Sequence, residues 1–139
     1  MSKTQKLTIT LGNLDLAKID LLVDMQSYSS RSDFIRDAVR NHLKSFEPDI
    51  KAFVEAEHAF KEKEVAEIGG IGVIALKRDD LLYLKEKQMK ADIMVVGLLA
   101  VSKDIELELA KETIRNIKVY GSIRGGKKVV ALLEEMRKK

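Results

Sequence analysis

The 139-residue chain has no cysteine, no tryptophan, a single proline and two histidines. Without cysteine there can be no disulfide framework, zinc finger, iron–sulfur cluster or thiol nucleophile, which agrees with a reducing cytoplasm. His42 and His58 are the only imidazoles. For each, a solvated or partly packed ring outweighs a metal ligand, and acid–base catalysis has few candidate groups. No catalytic residue, metal or cofactor is expected. The longest apolar run, Ile93 to Val101, covers nine residues, about half a membrane span. Met1 to Lys6 lead into alternation rather than into the apolar block of a signal peptide. A soluble, unexported protein is the expectation.

The chain is 45% hydrophobic and 34% charged, a globular composition with more charge than usual. The net charge of +3 is unevenly placed: residues 1–46 carry +2, residues 47–67 carry −4 and residues 68–139 carry +5. A basic head, an acidic connector and a basic tail suit a nucleic-acid binder. Three asparagines and three glutamines amid abundant lysine and glutamate lean towards a thermophilic source.

From Lys6 to Leu11 the sequence alternates: Lys6, Thr8 and Thr10 on one face, Leu7, Ile9 and Leu11 on the other. This is the pattern of a strand with one apolar side. Gly12-Asn13 breaks it, with Asn13 able to cap a helix over 14–26 built on Leu16, Ile19, Leu22 and Val23. A second helix is predicted from Ser30, where Ser30-Arg31-Ser32-Asp33 has the reciprocal capping pattern. Its apolar side is Phe34, Ile35, Ala38, Val39, Leu43 and Phe46, and Pro48 marks its expected end. One strand and two helices cannot bury their apolar faces alone, and a lone strand has no partner for its backbone groups. A second copy, pairing strand to strand about a two-fold axis, is the simplest remedy. The outward residues of that ribbon would be Lys6, Thr8 and Thr10, of a size to reach base edges in a major groove.

The stretch from Lys6 to Leu11, a helix, and then Tyr28-Ser29-Ser30-Arg31-Ser32-Asp33-Phe34-Ile35-Arg36-Asp37-Ala38-Val39-Arg40 resembles the ribbon-helix-helix (MetJ/Arc/CopG) family. The resemblance implies an intertwined dimer with Leu7, Ile9, Leu11, Leu22, Phe34, Ile35 and Val39 in its core. It implies base contacts from Lys6, Thr8 and Thr10, and phosphate contacts from Ser30, Arg31 and Ser32. The free N–H groups and positive dipole end of a helix agree with an anion there. Many members have glycine just before the position of Tyr28, where this chain has Ser27; the departure tightens or strains the turn.

Residues 47–67 read as an acidic helical connector carrying Ile50, Phe53, Val54, Phe60 and Val65 near helical spacing. Residues 68–139 hold a repeat. Ile68, Ile93 and Ile117 are each followed four residues later by glycine (Gly72, Gly97, Gly121) and two beyond by an apolar residue (Ile74, Leu99, Ile123). After each comes an amphipathic stretch: Leu81/Leu82/Leu84, then Ile105/Leu107/Leu109/Ile114, then Val129/Val130/Leu132/Leu133/Met136. Strand then helix, three times over, predicts parallel pairing in a short solenoid. The competing arrangement is a compact effector-sensing sandwich of the kind found in nickel-responsive regulators. Nickel sensing needs histidine and cysteine ligands, and residues 68–139 have neither.

Other motifs are weaker. Gly69-Gly70-Ile71-Gly72 lacks the Gly-Lys-Ser/Thr of a phosphate loop. Arg124-Gly125-Gly126-Lys127-Lys128 could hold an anion at a helix start, but a flexible turn with solvated lysines is the stronger reading. Glu108 and Glu112 with Lys111 and Arg115 form a solvated helix face. The fold class expected is α+β: a ribbon-helix-helix head over 1–46, a connector over 47–67 and an α/β repeat domain over 68–139. The expected function is that of a non-enzymatic, homodimeric regulator of transcription, most simply a repressor, binding double-stranded DNA. Its tail would serve higher oligomerisation or take a protein or small-molecule effector. An autoregulating antitoxin and an architectural protein polymerising on DNA are the alternatives.

Overall fold

The computed structural model describes residues 4–58 and 64–138. Phe60, counted in the connector pattern, and the side chain of His58 lie outside the described residues. The chain divides into two compact units, Met1–Asp49 and Ile50–Lys139.

In the first unit, residues 4–12 carry no regular structure within the single chain. A strand exists only where a second strand answers its N–H and C=O groups, and no strand among the described residues pairs with this segment. Helix α1 spans Asn13–Asp24 and helix α2 begins at Arg31. Asn13 is not the cap of α1. Gly12 occupies that place, without a side-chain bond, and its carbonyl receives the Leu16 N–H at 3.0 Å. The end of α1 is a Schellman turn: the Gln26 N–H donates to Val23 O and the Ser27 N–H to Leu22 O, both at 3.0 Å. The residue in left-handed conformation is therefore Gln26 (φ 62°), one place earlier than the Ser27 substitution indicates. An L-residue carries about 1–2 kcal/mol of strain there that glycine would avoid.

Helix α2 runs Arg31–His58, straight through Pro48, and this corrects the expected stop. An internal proline costs about 3 kcal/mol. The turns beyond it bury Val54 and bring Glu57 to within 3.2 Å of Lys118, which rewards continuing the helix.

The second unit alternates strand and helix: β1 (Val65–Leu76), α3 (Arg78–Glu86), β2 (Lys90–Val101), α4 (Leu107–Thr113), β3 (Ile114–Arg124) and α5 (Lys127–Arg137). The strands form one parallel sheet in the order β1-β2-β3. β1 starts three residues before Ile68, and Ile114 opens β3 instead of closing the preceding helix. The repeat residues stand side by side in the sheet: Ile68 with Ile93 and Ile117, Gly72 with Gly97 and Gly121, Ile74 with Leu99 and Ile123. Ala91, Ile93, Val95, Leu99, Val119 and Ile123 pack with Leu81 and Leu84 of α3, Leu109 of α4, and Val129 and Leu133 of α5. The helices thus share one core with one face of the sheet. On the strands, Ile71, Val73 and Tyr120 remain more than half exposed.

Candidate nucleic-acid interface

Met1–Asp49 has almost no core of its own. Ile19 is its only buried hydrophobic side chain among the described residues. Leu7 is 84% exposed, and Ile9, Val39 and Leu43 are at least half exposed. Apolar area of that extent in water is unfavourable at roughly 25 cal/mol per Å². The exposure is organised. Ile9 and Leu11 of the extended segment, Leu22 of α1, and Phe34, Ile35 and Val39 of α2 line one open groove of about 370 Å³ floored by Ile19. Six of the seven residues expected in a dimer core come together there; Leu7 stands outside the lining.

Lys6, Thr8 and Thr10 are all exposed on the extended segment. At the start of α2 the Ser30 hydroxyl accepts the Asp33 N–H at 3.0 Å, the hydroxyl half of the predicted capping box. The acid half is displaced by one residue: the Asp33 carboxylate accepts from the Ser29 N–H at 3.3 Å and from the Ser29 hydroxyl at 3.2 Å. Asp33 therefore places negative charge beside the helix end where an anion is expected.

Arg31 is also engaged. Its Nε and Nη2 donate to the two Asp20 carboxylate oxygens at 2.6 and 2.8 Å, tying α2 to α1. That hydrogen-bonded guanidinium holds the Asp20 carboxyl below its ordinary range and raises Arg31 further. Both groups are therefore charged at neutral pH. The pair's contribution is complete at neutral pH and is lost as the pH falls through the lowered Asp20 value. Ser32 is exposed in the first turn of α2. One turn further, the Tyr28 hydroxyl donates to Asp37 at 2.7 Å, which pushes the phenol up, and its ring meets Phe34 edge-on at 5.0 Å. Asp20 and Asp37 were not legible as partners, because contacts over 11 residues between helices and 9 residues from turn to helix carry no periodic signal.

The second unit has a groove of about 410 Å³ between Lys103, Ile105 and Glu106 and the start of α5 at Gly126, Lys127 and Lys128. Glu106 beside it is bound by Arg78 at 2.8 Å. No group of metal-binding side chains occurs among the described residues. His42 is exposed and meets the Phe46 ring edge-on at 5.3 Å, a partly packed ring open to solvent. No helix among the described residues is long and apolar enough to cross a membrane.

A family model described as the ribbon-helix-helix transcriptional regulator family matches residues 2–130. Neither the curated proteins nor the solved structures compared with the chain give a match.

Proposed function

Because the chain belongs to the ribbon-helix-helix transcriptional regulator family, we propose that it is a cytoplasmic repressor that binds its operator as a homodimer. Residues 6–11 of two chains pair as an antiparallel ribbon, and Lys6, Thr8 and Thr10 of each chain read base edges in the major groove. The start of α2, with Ser30, Arg31 and Ser32, grips the flanking phosphates. Leu7, Ile9, Leu11, Leu22, Phe34, Ile35 and Val39 form the shared core. The observation that carries this reading is the open groove with Ile19 at its floor: a second copy brings matching Leu and Ile side chains from its own segment to fill it. In this reading 1–46 is the DNA-binding and dimerisation module, 47–67 the connector and 68–139 the partner- or effector-facing module.

Sedimentation of the full-length chain, with selection of bound sequences from random DNA, tests the proposal. A two-chain species and a selected site with two related halves are expected. A monomer at micromolar concentration, or random sequence after selection, would sink it. The antitoxin alternative is less favoured, since antitoxin tails fold on their toxin whereas Ile50–Lys139 holds a packed core of its own.

The Asp20–Arg31 clamp supplies a narrower prediction. Asp20→Asn keeps the shape but removes the carboxylate charge that Arg31 now answers. Affinity for non-specific duplex should rise, and the log–log salt dependence should steepen by up to one phosphate contact per chain, each worth a slope of about −0.9. A slope unchanged in both Asp20→Asn and Arg31→Ala in a salt titration would remove Arg31 from the phosphate contacts.

A further inference from the structure

The three-strand sheet has two outer edges, and they are finished differently. On β3 the carbonyl of Gly121 accepts a bond from Arg137 Nη2 of α5 at 2.9 Å. The same strand carries Arg115, Lys118 and Arg124; Arg115 is paired with Asp92 and Lys118 with Glu57, so this edge is dressed with charged side chains and their partners. β1 is the opposite case. Of its twelve residues only Glu67 is charged, none is proline, and Ile71 and Val73 are 55% and 64% exposed. Long, apolar, unguarded edges are the ones that take up another strand.

The glycine row points the same way. Gly72, Gly97 and Gly121 share a positive φ, of 114°, 139° and 126°. At Gly97 the space a Cβ would take is filled by the Gly72 carbonyl, and at Gly121 by the Gly97 carbonyl. At Gly72 the conformation recurs and nothing lies within 4 Å of that space. The row is closed at β3 by Arg137 and left open at β1, where a further backbone can come close.

We propose that the outer edge of β1 pairs with β1 of a second copy, antiparallel about a two-fold axis, so that two sheets join into one of six strands. The β3 edge is a poor partner because Arg137 already occupies the carbonyl that would have to be offered. Among the described residues β1 itself is the edge left unguarded on another chain, and two nearly uncharged strands meet without repulsion. The inference rests on the sheet alone and does not depend on the reading of DNA by the head.

Since the chain lacks cysteine, single cysteines in the full-length protein report the pairing directly. Residues facing each other near the axis bring their Cβ atoms about 4.5–5.5 Å apart, close to disulfide range. Under mild oxidation at least one of Ile71→Cys, Val73→Cys and Ala75→Cys should link two chains on the order of tenfold faster than Tyr120→Cys. A tether at the head raises the local concentration of all four, so the Tyr120 variant removes its contribution. Adding Ile71→Lys and Val73→Lys to the Ala75→Cys chain should bring its rate down to the Tyr120→Cys level, with the circular dichroism unchanged because both positions already face water. Equal rates on β1 and β3, no linking at any β1 position, or linking only when Val73→Cys chains are mixed with Ser122→Cys chains would each overturn the proposal.

Discussion

Thr8→Ala combined with Thr10→Ala is expected to abolish sequence preference in DNA binding while leaving attraction to duplex DNA in place. Both threonines are exposed, so shortening them removes no packing and the melting curve should barely move. In the ribbon each would face the groove floor, and the double change deletes up to four hydroxyls from a dimer. Well-placed base contacts each discriminate by about 1–3 kcal/mol. Losing several should reduce the ratio of specific to random affinity on the order of a hundredfold or more, towards the non-specific limit. Phosphate contacts supply the salt-dependent part of the affinity, so the salt slope should persist. Lys6→Ala separates two roles: a cost of about 1–3 kcal/mol confined to the preferred site marks a base contact, whereas a flatter slope on every sequence marks a phosphate contact. Gel-shift titration of the selected site against scrambled DNA makes the measurement. A double alanine variant with its sequence preference intact would take base reading away from this face.

The second large effect is expected in the sheet. Gly97→Ala would drive a Cβ into the Gly72 carbonyl of the neighbouring strand, and Gly97 sits in the central strand with ladders on both sides. Relief requires parting β1 from β2, so the loss should reach roughly 3–5 kcal/mol, among the larger effects of single substitutions. Gly70→Ala is the matched comparison. Its φ of 142° is nearly that of Gly97 at 139°, but an added Cβ would meet only the Ile74 side chain, at 3.6 Å. It should lose only the conformational strain, about 1–3 kcal/mol. Denaturant unfolding of the two variants isolates the backbone collision from the left-handed strain. Equal losses would mean that the close approach of the strands contributes nothing.

Much of this protein can be read from local pattern. Period-two alternation around Leu7 and Ile9, the hydroxyl cap at Ser30 and the four-residue Ile-to-Gly spacing are short-range regularities, set by side-chain direction and backbone sterics along one stretch of chain. The cap at Ser30 marked the start of α2, and the helical spacing of Leu16, Ile19, Leu22 and Val23 marked α1; the alternation from Lys6 to Leu11 predicts a strand, which residues 4–12 do not form within one chain. The repeat residues of residues 68–139 also predicted which rungs of the sheet would align, because equal spacing in the chain becomes equal height in a parallel ladder. The expected stop at Pro48 failed for a physical reason. A local penalty of a few kcal/mol was weighed without the burial of Val54 and the Glu57–Lys118 pair that the continued helix brings. The turn strain was expected at Ser27 and found at Gln26, since only the helix-end hydrogen bonds decide which residue turns left-handed.

The amino-acid sequence by itself determined the segments, their apolar faces and the chemical kind of surface offered by Lys6, Thr8 and Thr10. Only the tertiary structure decided that Arg31 is bound to Asp20, that Arg137 holds the Gly121 carbonyl while among the described residues nothing lies within 4 Å of the Cβ space at Gly72, and that the head's apolar residues converge on a groove. Those outcomes depend on which distant groups come within a few ångströms of each other. Periodicity, a property of neighbours along the chain, holds no information about that.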